Sequence, residues 1–287
     1  MLFVPAVNDR LIKSAVTRPA DALVIDLEDS VPHALKAEAR SKVGGLANTF
    51  SKAGYGVAVR VNRSWRCMVR DIESSVSSHV AALVIPKVPN GAHVRAVAEV
   101  ILECELEKGL RAGHTELIAL IEDAEGLANM SSIARAHPRL QGMNVGPEDL
   151  AVALRMTASE DGLYTHNVLA ISACRLAGIT PVGFIGSMTE FADKDAFERR
   201  MQRAARLGFE SSFCIHPNQI DAINSSFMPS KEAFERAQAL VKCFEEACAG
   251  GNAACVFEGL MVDIPVANGA RLLIEKYLRM SKRPHGG

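Results

Sequence analysis

A (β/α)8 barrel of the TIM type, followed by a C-terminal helix-loop-helix extension, is the fold class the sequence predicts, and three observations predict it. Short apolar runs alternate with amphipathic stretches about eight times, the order that builds an α/β fold around a parallel sheet. The runs are mostly continuous rather than alternating, as strands buried on both faces are. The first run is followed by no glycine-rich phosphate turn: G-x-G-x-x-G and G-x-x-x-x-G-K are both absent, so the main marks of an open nucleotide-binding sheet are missing. Eight units over roughly 215 residues suit a closed barrel.

The runs are Leu2–Ala6, Ala22–Leu27, Val57–Val61, Ala82–Pro86, Leu117–Ile121, Gly142–Val145, Pro181–Ile185 and Ser212–Ile215. Between them, Asp9–Thr17 is a short helical pattern, and His33–Leu46 sets apolar residues at helical spacing under a charged outer face. His93–Lys108 carries Val94, Val97, Ile101, Leu102 and Leu106 on one side. Asp195–Leu207 turns Phe197, Met201 and Ala204 inward and displays Glu198, Arg199, Arg200 and Arg203. A barrel over residues 1–229 is then complete, yet the chain continues. Lys231–Ala249 reads as a long helix, capped by Ser230 and stopped at Gly250-Gly251. Asn252–Pro265 reads as irregular with a short apolar centre, and Val266–Met280 as a final helix. This extension, 230–287, must cover something, either its own barrel or a neighbouring subunit, and the neighbour is the expected surface.

Of the 287 residues, 48% are hydrophobic and 23% charged, which excludes disorder as the main state. Lys plus Arg number 32 against 33 Asp plus Glu, for a formal charge of -1. A nucleic-acid binder shows a basic excess or stripe, so no nucleic-acid partner is expected, whereas a small anion needs only a local site. No apolar run nears the ~20 residues of a membrane helix, and the N-terminus carries no secretory pattern; no membrane partner is expected. The seven cysteines include no C-x-x-C pair and are expected as reduced thiols in the cytoplasm.

Barrel active sites gather where the strand C-termini and the loops after them converge. There the sequence places Asp26-Leu27-Glu28-Asp29, Arg60 with Asn62, Pro86-Lys87, Glu122-Asp123, Gly146-Pro147-Glu148-Asp149 and His216-Pro217. Carboxylates from three strands around one mouth repel one another, and a hard cation resolves that. Mg2+ takes one or two carboxylates together with water and substrate; Mn2+ is the alternative ion. Glu122 and Asp149 are the simplest ligand pair, with Glu28 and Asp29 reaching the ion through its bound waters. Arg60 lies within a β-branched run and must be paired or serve a ligand; a substrate carboxylate fits its fork. Glu148 also reads as a first-turn residue of a helix, His216 as a structural imidazole, and Lys87 leaves a Schiff-base aldolase open.

Taken in order, these residues resemble a known family. The motifs are Leu-Phe-Val-Pro-Ala at 2–6, Asp-Leu-Glu-Asp-Ser-Val at 26–31, Lys36 with Ala39-Arg40, and Val-Arg-Val-Asn at 59–62. They continue with Ile-Pro-Lys-Val at 85–88, Ile-Glu-Asp-Ala at 121–124, Gly-Pro-Glu-Asp-Leu-Ala at 146–151 and Cys-Ile-His-Pro-Asn-Gln-Ile at 214–220. Phe-Met-Pro-Ser at 227–230 and Glu-Gly-Leu-Met-Val-Asp at 258–263 close the series. Over nearly the whole chain this is similar to the HpcH/HpaI aldolase superfamily, in its citrate lyase beta-subunit-like branch, with malyl-CoA, citramalyl-CoA and citryl-CoA lyases among its members.

The resemblance implies a trimer or hexamer that uses Mg2+ to break or form a C–C bond beside a CoA thioester. It implies that Glu122 and Asp149 hold the metal, and that Arg60 and the backbone around Gly146, Pro147 and Glu148 touch the small acid. Asp263 matches an aspartate that enters the next subunit's site, and Lys36 and Arg40 match a spacing assigned here to CoA phosphates. The expected reaction is cleavage of a 3-hydroxy-carboxyacyl-CoA to an acyl-CoA and a 2-oxo acid such as glyoxylate, pyruvate or oxaloacetate. Arg60 would stabilise the oxygen charge, and Asp263 would move a proton at the thioester α-carbon. The alternatives are a malyl-CoA-type thioesterase and a catalytically weak lyase subunit or ligand-binding relative. Three departures bear on substrate handling: Ser211-Ser212 where the family commonly has Gly-Lys, no aspartate after Pro181-Val182-Gly183-Phe184, and a start directly at the first run.

Overall fold

The computed structural model describes residues 1–281. They fall into two compact units, Met1–Ile223 and a second beginning at Asn224; the part of the expected extension at 282–287 lies outside the described residues.

The first unit alternates strand and helix, except that two helices in succession precede its last strand. Its strands are β1 (Leu2–Pro5), β2 (Ala22–Asp26), β3 (Gly56–Arg60), β4 (Ala82–Ile85), β5 (Glu116–Ile121), β6 (Leu140–Val145) and β7 (Thr180–Val182). They pair in parallel, in chain order. The connecting helices are α1 (Asp9–Ala15), α2 (Lys36–Lys52), α3 (Trp65–Ser75), α4 (Gly91–Glu107), α5 (Ala124–Ala134), α6 (Pro147–Leu154), α7 (Glu160–Ala177) and α8 (Lys194–Leu207). Helix starts follow local chemistry: Asn8, Asn90, Asp123, Ser159 and Asp193 each accept a first-turn N–H. Gly178 and Gly208, both left-handed, end α7 and α8. No described helix is long and apolar enough to cross a membrane.

Successive strand residues face opposite sides of the sheet. Val24, Ala58, Ala82, Val84, Leu120 and Val182 meet in one interior cluster with Phe213. Two positions after Val24, Ala58 and Leu120 come Asp26, Arg60 and Glu122. The period that buries the apolar residues therefore delivers these three charged side chains to the same inner face.

The eighth expected strand, Ser212–Ile215, does not form as a strand. Ser211 bridges Val182 and Cys214 bridges Leu2, with Gly183 N–H donating to the Ser211 carbonyl at 2.8 Å and Phe3 N–H to that of Cys214 at 2.9 Å. The strands thus make a seven-stranded parallel sheet, and residues 211–214 hydrogen-bond to both of its edges. The ladder is short because Pro181 has no N–H and Gly183, at φ 132°, turns the chain out of β7 early.

Glu105 of α4 and Arg139, ahead of β6, form a buried bidentate pair at 2.7 and 2.6 Å. Glu105 also accepts the Gly113 and Thr115 N–H groups. Although burial opposes its ionisation, Arg139 and these amides hold its carboxyl down, at about 2. Arg139→Met leaves that carboxylate without its counter-charge and is expected to cost ~3–5 kcal/mol in urea unfolding; a loss under about 1 kcal/mol would show the pair to be dispensable.

After α9 (Ile220–Phe227), the second unit holds α10 (Lys231–Ala249), β8 (Cys255–Phe257), β9 (Leu260–Val262) and α11 (Ile264–Ser281). The stretch expected to be irregular is a β-hairpin, closed by Glu258 at φ 48° and Gly259 at φ 79°. Two consecutive positive φ values match the twist of a two-residue hairpin. Leu240, Phe244, Val262 and Ala267 form this unit's core, and Phe234 stacks on Tyr277 with centroids 4.2 Å apart. α11 starts two residues before the expected Val266, because Asp263 caps it by accepting Val266 N–H at 3.2 Å.

Candidate active site

A cavity of about 470 Å³ opens at the C-terminal ends of the strands of the first unit. Asp26 and Arg60, the last residues of β2 and β3, are register partners. Arg60 meets Asp26 with both prongs of its fork, Nε to Oδ1 at 2.7 Å and Nη2 to Oδ2 at 2.8 Å. Asp26 is held in turn by the Glu28 N–H at 3.0 Å and by Ser30 through its N–H and hydroxyl. Burial works against ionising Asp26, but the bonds from Arg60 and Ser30 overcome it and hold the carboxyl below its usual range. Burial likewise opposes charge on Arg60, and Asp26, Glu28 and Asp29 more than restore it. The guanidinium lies 4.8 Å above the Phe3 ring. Its remaining nitrogen, Nη1, stands 3.2 Å from Glu28 Oε2 and 3.3 Å from Asp29 Oδ2. Arg60 is therefore both ion-paired and presented to the cavity. Asp26 is its positioning partner, a role that the strand-end motif does not reveal, although its spacing from Val24 marks it as inward-facing.

Glu122 is 5% exposed. Its Oε2 accepts the Lys87 N–H at 2.8 Å, and its side chain rests on Gly146, where a Cβ would come within 2.6 Å of Glu122 Cγ. Gly146 is thus the space that Glu122 occupies. Burial first, and the Asp149 charge second, raise Glu122 to about 7. Glu28 rises to about 8, chiefly by burial and, against the pull of Arg60, by the charges of Asp29, Glu122 and Asp26. Asp149 sits in the first turn of α6, which Pro147 opens, and accepts Lys87 Nζ at 2.8 Å. Lys87 serves both acids, one by its backbone N–H and one by its ammonium, from a left-handed conformation at φ 48°. Its bond to Asp149 keeps it firmly protonated, the opposite of what an amine nucleophile needs.

The donor set fits a hard cation. Asp149 and Glu122, the latter buried and raised by the charge of the former, share the single ammonium of Lys87, which bonds to Asp149 alone. Among the described residues no three potential ligands converge, so the chain would supply Glu122 and Asp149 and leave the remaining positions to water and substrate, as Mg2+ prefers.

Other expected residues are committed elsewhere. Glu148 accepts Ser187 Oγ at 2.6 Å and Met188 N–H at 3.1 Å, so it pins the loop after β7 at the cavity wall. Lys36 Nζ donates to the Leu27 and Glu28 carbonyls at 2.8 and 2.6 Å. Arg40 binds Asp71, which also accepts the Asn62 backbone and side-chain amides. Both cations expected at CoA phosphates thus face internal acceptors. Asp123 caps α5 by accepting Gly126 N–H at 2.8 Å. His216 accepts Asn218 N–H and stacks on Phe191, in keeping with a structural imidazole. Asp263 belongs to the second unit and caps α11.

Residues 1–217 match the family model for HpcH/HpaI aldolase/citrate lyase. The citrate lyase subunit beta of Leuconostoc mesenteroides subsp. cremoris is 32% identical over 99% of this chain and 93% of that protein. The L-malyl-CoA/beta-methylmalyl-CoA lyase of Rhodobacter capsulatus is 30% identical, over 95% and 91%. A (3S)-malyl-CoA thioesterase of Cereibacter sphaeroides is 32% identical, over 92% and 88%. Among solved structures, the protein CitE of Mycobacterium tuberculosis in complex with magnesium, acetoacetate and coenzyme A superposes with a TM-score of 0.75, at 25% identity and 96% coverage of both chains.

Proposed function

Because the chain belongs to the HpcH/HpaI aldolase/citrate lyase family and its relatives make it a lyase of the citrate lyase beta and malyl-CoA lyase type, we propose a Mg2+-dependent cleavage. A 3-hydroxy-carboxyacyl-CoA would be split to an acyl-CoA and a 2-oxo acid. The observation that carries this reading is an arginine fixed among carboxylates at one cavity, with Glu122 and Glu28 both driven up by burial and by the charge of neighbouring carboxylates. The magnesium complex of the CitE relative supports the choice of ion. The backbone bonds of residues 211–214 to both sheet edges support their reading as the eighth stave of a closed barrel.

Glu122 and Asp149 would hold the ion, and Glu28 and Asp29 its waters. When bound, Mg2+ supplies Lewis-acid polarisation of the acid's oxygens. Asp26 keeps Arg60 in one orientation, so that Nη1 meets the developing oxygen charge without reorganising. Lys87 Nζ, which pairs with Asp149, would have to give up that carboxylate for it to hold the ion, and the Lys87 N–H keeps Glu122 aimed. Asp263, brought by a neighbouring copy in a trimer or hexamer, moves the proton at the thioester α-carbon.

Malyl-, citramalyl- and citryl-CoA, each assayed with Mg2+ and with EDTA, test the reading. Cleavage of at least one, with release of acyl-CoA and loss in EDTA, is expected; release of free CoA without C–C cleavage would instead establish the thioesterase chemistry named for the Cereibacter relative.

Mg2+ binding requires Glu122 ionised, so ion and proton compete. With its carboxyl at about 7, apparent Mg2+ affinity is expected to fall roughly tenfold per unit below that pH and to level off above it. Calorimetric titration across this range checks it, and a flat profile would remove Glu122 from the ligand set.

A further inference from the structure

Resting on the lyase reading, we infer that the 2-oxo acid is a monocarboxylate whose carbonyl carbon bears hydrogen or methyl, as in glyoxylate or pyruvate, and not a dicarboxylate such as oxaloacetate. Charge at the cavity is the first ground. Among the described lining residues the lysines and arginines are represented by Arg60 alone, against five carboxyl groups, Asp26, Asp29, Glu122, Glu148 and Asp149. Two nitrogens of Arg60 are already taken by Asp26 at 2.7 and 2.8 Å, and the third, Nη1, faces Glu28 and Asp29 at 3.2 and 3.3 Å, so it reaches a substrate carboxylate only in competition with them. Lys87 Nζ is taken by Asp149. One substrate carboxylate can claim the metal and Nη1; a second finds no cation left.

The floor is the second ground. Below the guanidinium lies the Phe3 ring, packed on Phe213 with centroids 5.0 Å apart. Leu120 and Phe213 are 3% and 2% exposed, and Met188 packs against the same interior cluster. A hydrogen or methyl is at home on such a surface. A carboxylate set on Phe3, Leu120, Met188 and Phe213 would lose its water to side chains that donate no hydrogen bond, and turned upward it would meet acids of its own sign.

Calorimetric titration of the full chain with Mg2+ and glyoxylate, pyruvate or freshly dissolved oxaloacetate tests this. A monocarboxylate is expected to bind at least about tenfold more tightly than oxaloacetate. Met188→Arg, which sets a cation beside the floor, is expected to strengthen oxaloacetate binding and narrow that gap. Oxaloacetate binding as tightly as the better monocarboxylate, or none of the three binding, overturns the inference; so does a folded Met188→Arg protein with no gain for oxaloacetate. If that variant does not fold, the wild-type order decides. A preference for oxaloacetate together with citryl-CoA cleavage sinks this assignment and leaves the lyase standing. A preference for pyruvate with no thioester cleaved does the reverse.

Discussion

Asp149→Ala is expected to remove metal-dependent turnover while leaving the fold intact. Asp149 is 36% exposed and its charged partner is Lys87, an interaction worth only ~0–1 kcal/mol at such exposure. It caps no helix: α6 starts from Gly146 with no side-chain capping bond. Thermal unfolding should therefore shift little. The catalytic effect is of another order. A ligating carboxylate underlies several kcal/mol of Lewis-acid stabilisation, and at 1.36 kcal/mol per decade kcat/KM should fall by about 10³-fold or more. Mg2+ affinity should fall with it in direct titration. A variant that keeps full activity after EDTA treatment would refute both the metal site and the mechanism built on it.

Asp263→Ala should lower turnover by about 10²–10⁴-fold, the range for losing a positioned proton donor or acceptor. Its Mg2+ and oxo-acid binding should stay near wild type, because Glu122, Asp149 and Arg60 all come from the first unit. The proposed site is shared between copies, which gives a sharper readout. Asp149→Ala and Asp263→Ala proteins, each inactive alone, should recover activity when unfolded and refolded together, since some mixed assemblies pair an intact Asp149 with an intact Asp263. No recovery from well-folded mixed oligomers would place Asp263 outside the neighbour's site. A near-normal Asp263→Ala enzyme would leave the residue with its observed role as the cap of α11.

Much of this site is visible in the chain before it folds. Period-two alternation carries Val24 to Asp26, Ala58 to Arg60 and Leu120 to Glu122, so inward-facing charge at strand ends is a local property. The proline and acids at 147–149 open a helix by chemistry that needs no distant partner. The hairpin turn at Glu258-Gly259 was harder to see, because its two positive φ angles carry a weaker sequence mark than Asn-Gly or Asp-Gly.

What the sequence by itself determined was the succession of strands and helices, the order of polar residues at their ends, and through these the family. Those follow from propensity, periodicity and capping, which act within a few residues. The tertiary structure alone decided which charge meets which. It turned Arg60 onto Asp26, Lys87 onto Asp149, Lys36 onto the carbonyls at 27 and 28, and Glu148 onto the loop at 187–188. Such partners lie between 8 residues apart (Lys36 and Glu28) and 62 (Lys87 and Asp149) along the chain, and long charged side chains reach several acceptors at almost equal cost in water. Only strand register, and the burial that makes each unmade bond expensive, selects one.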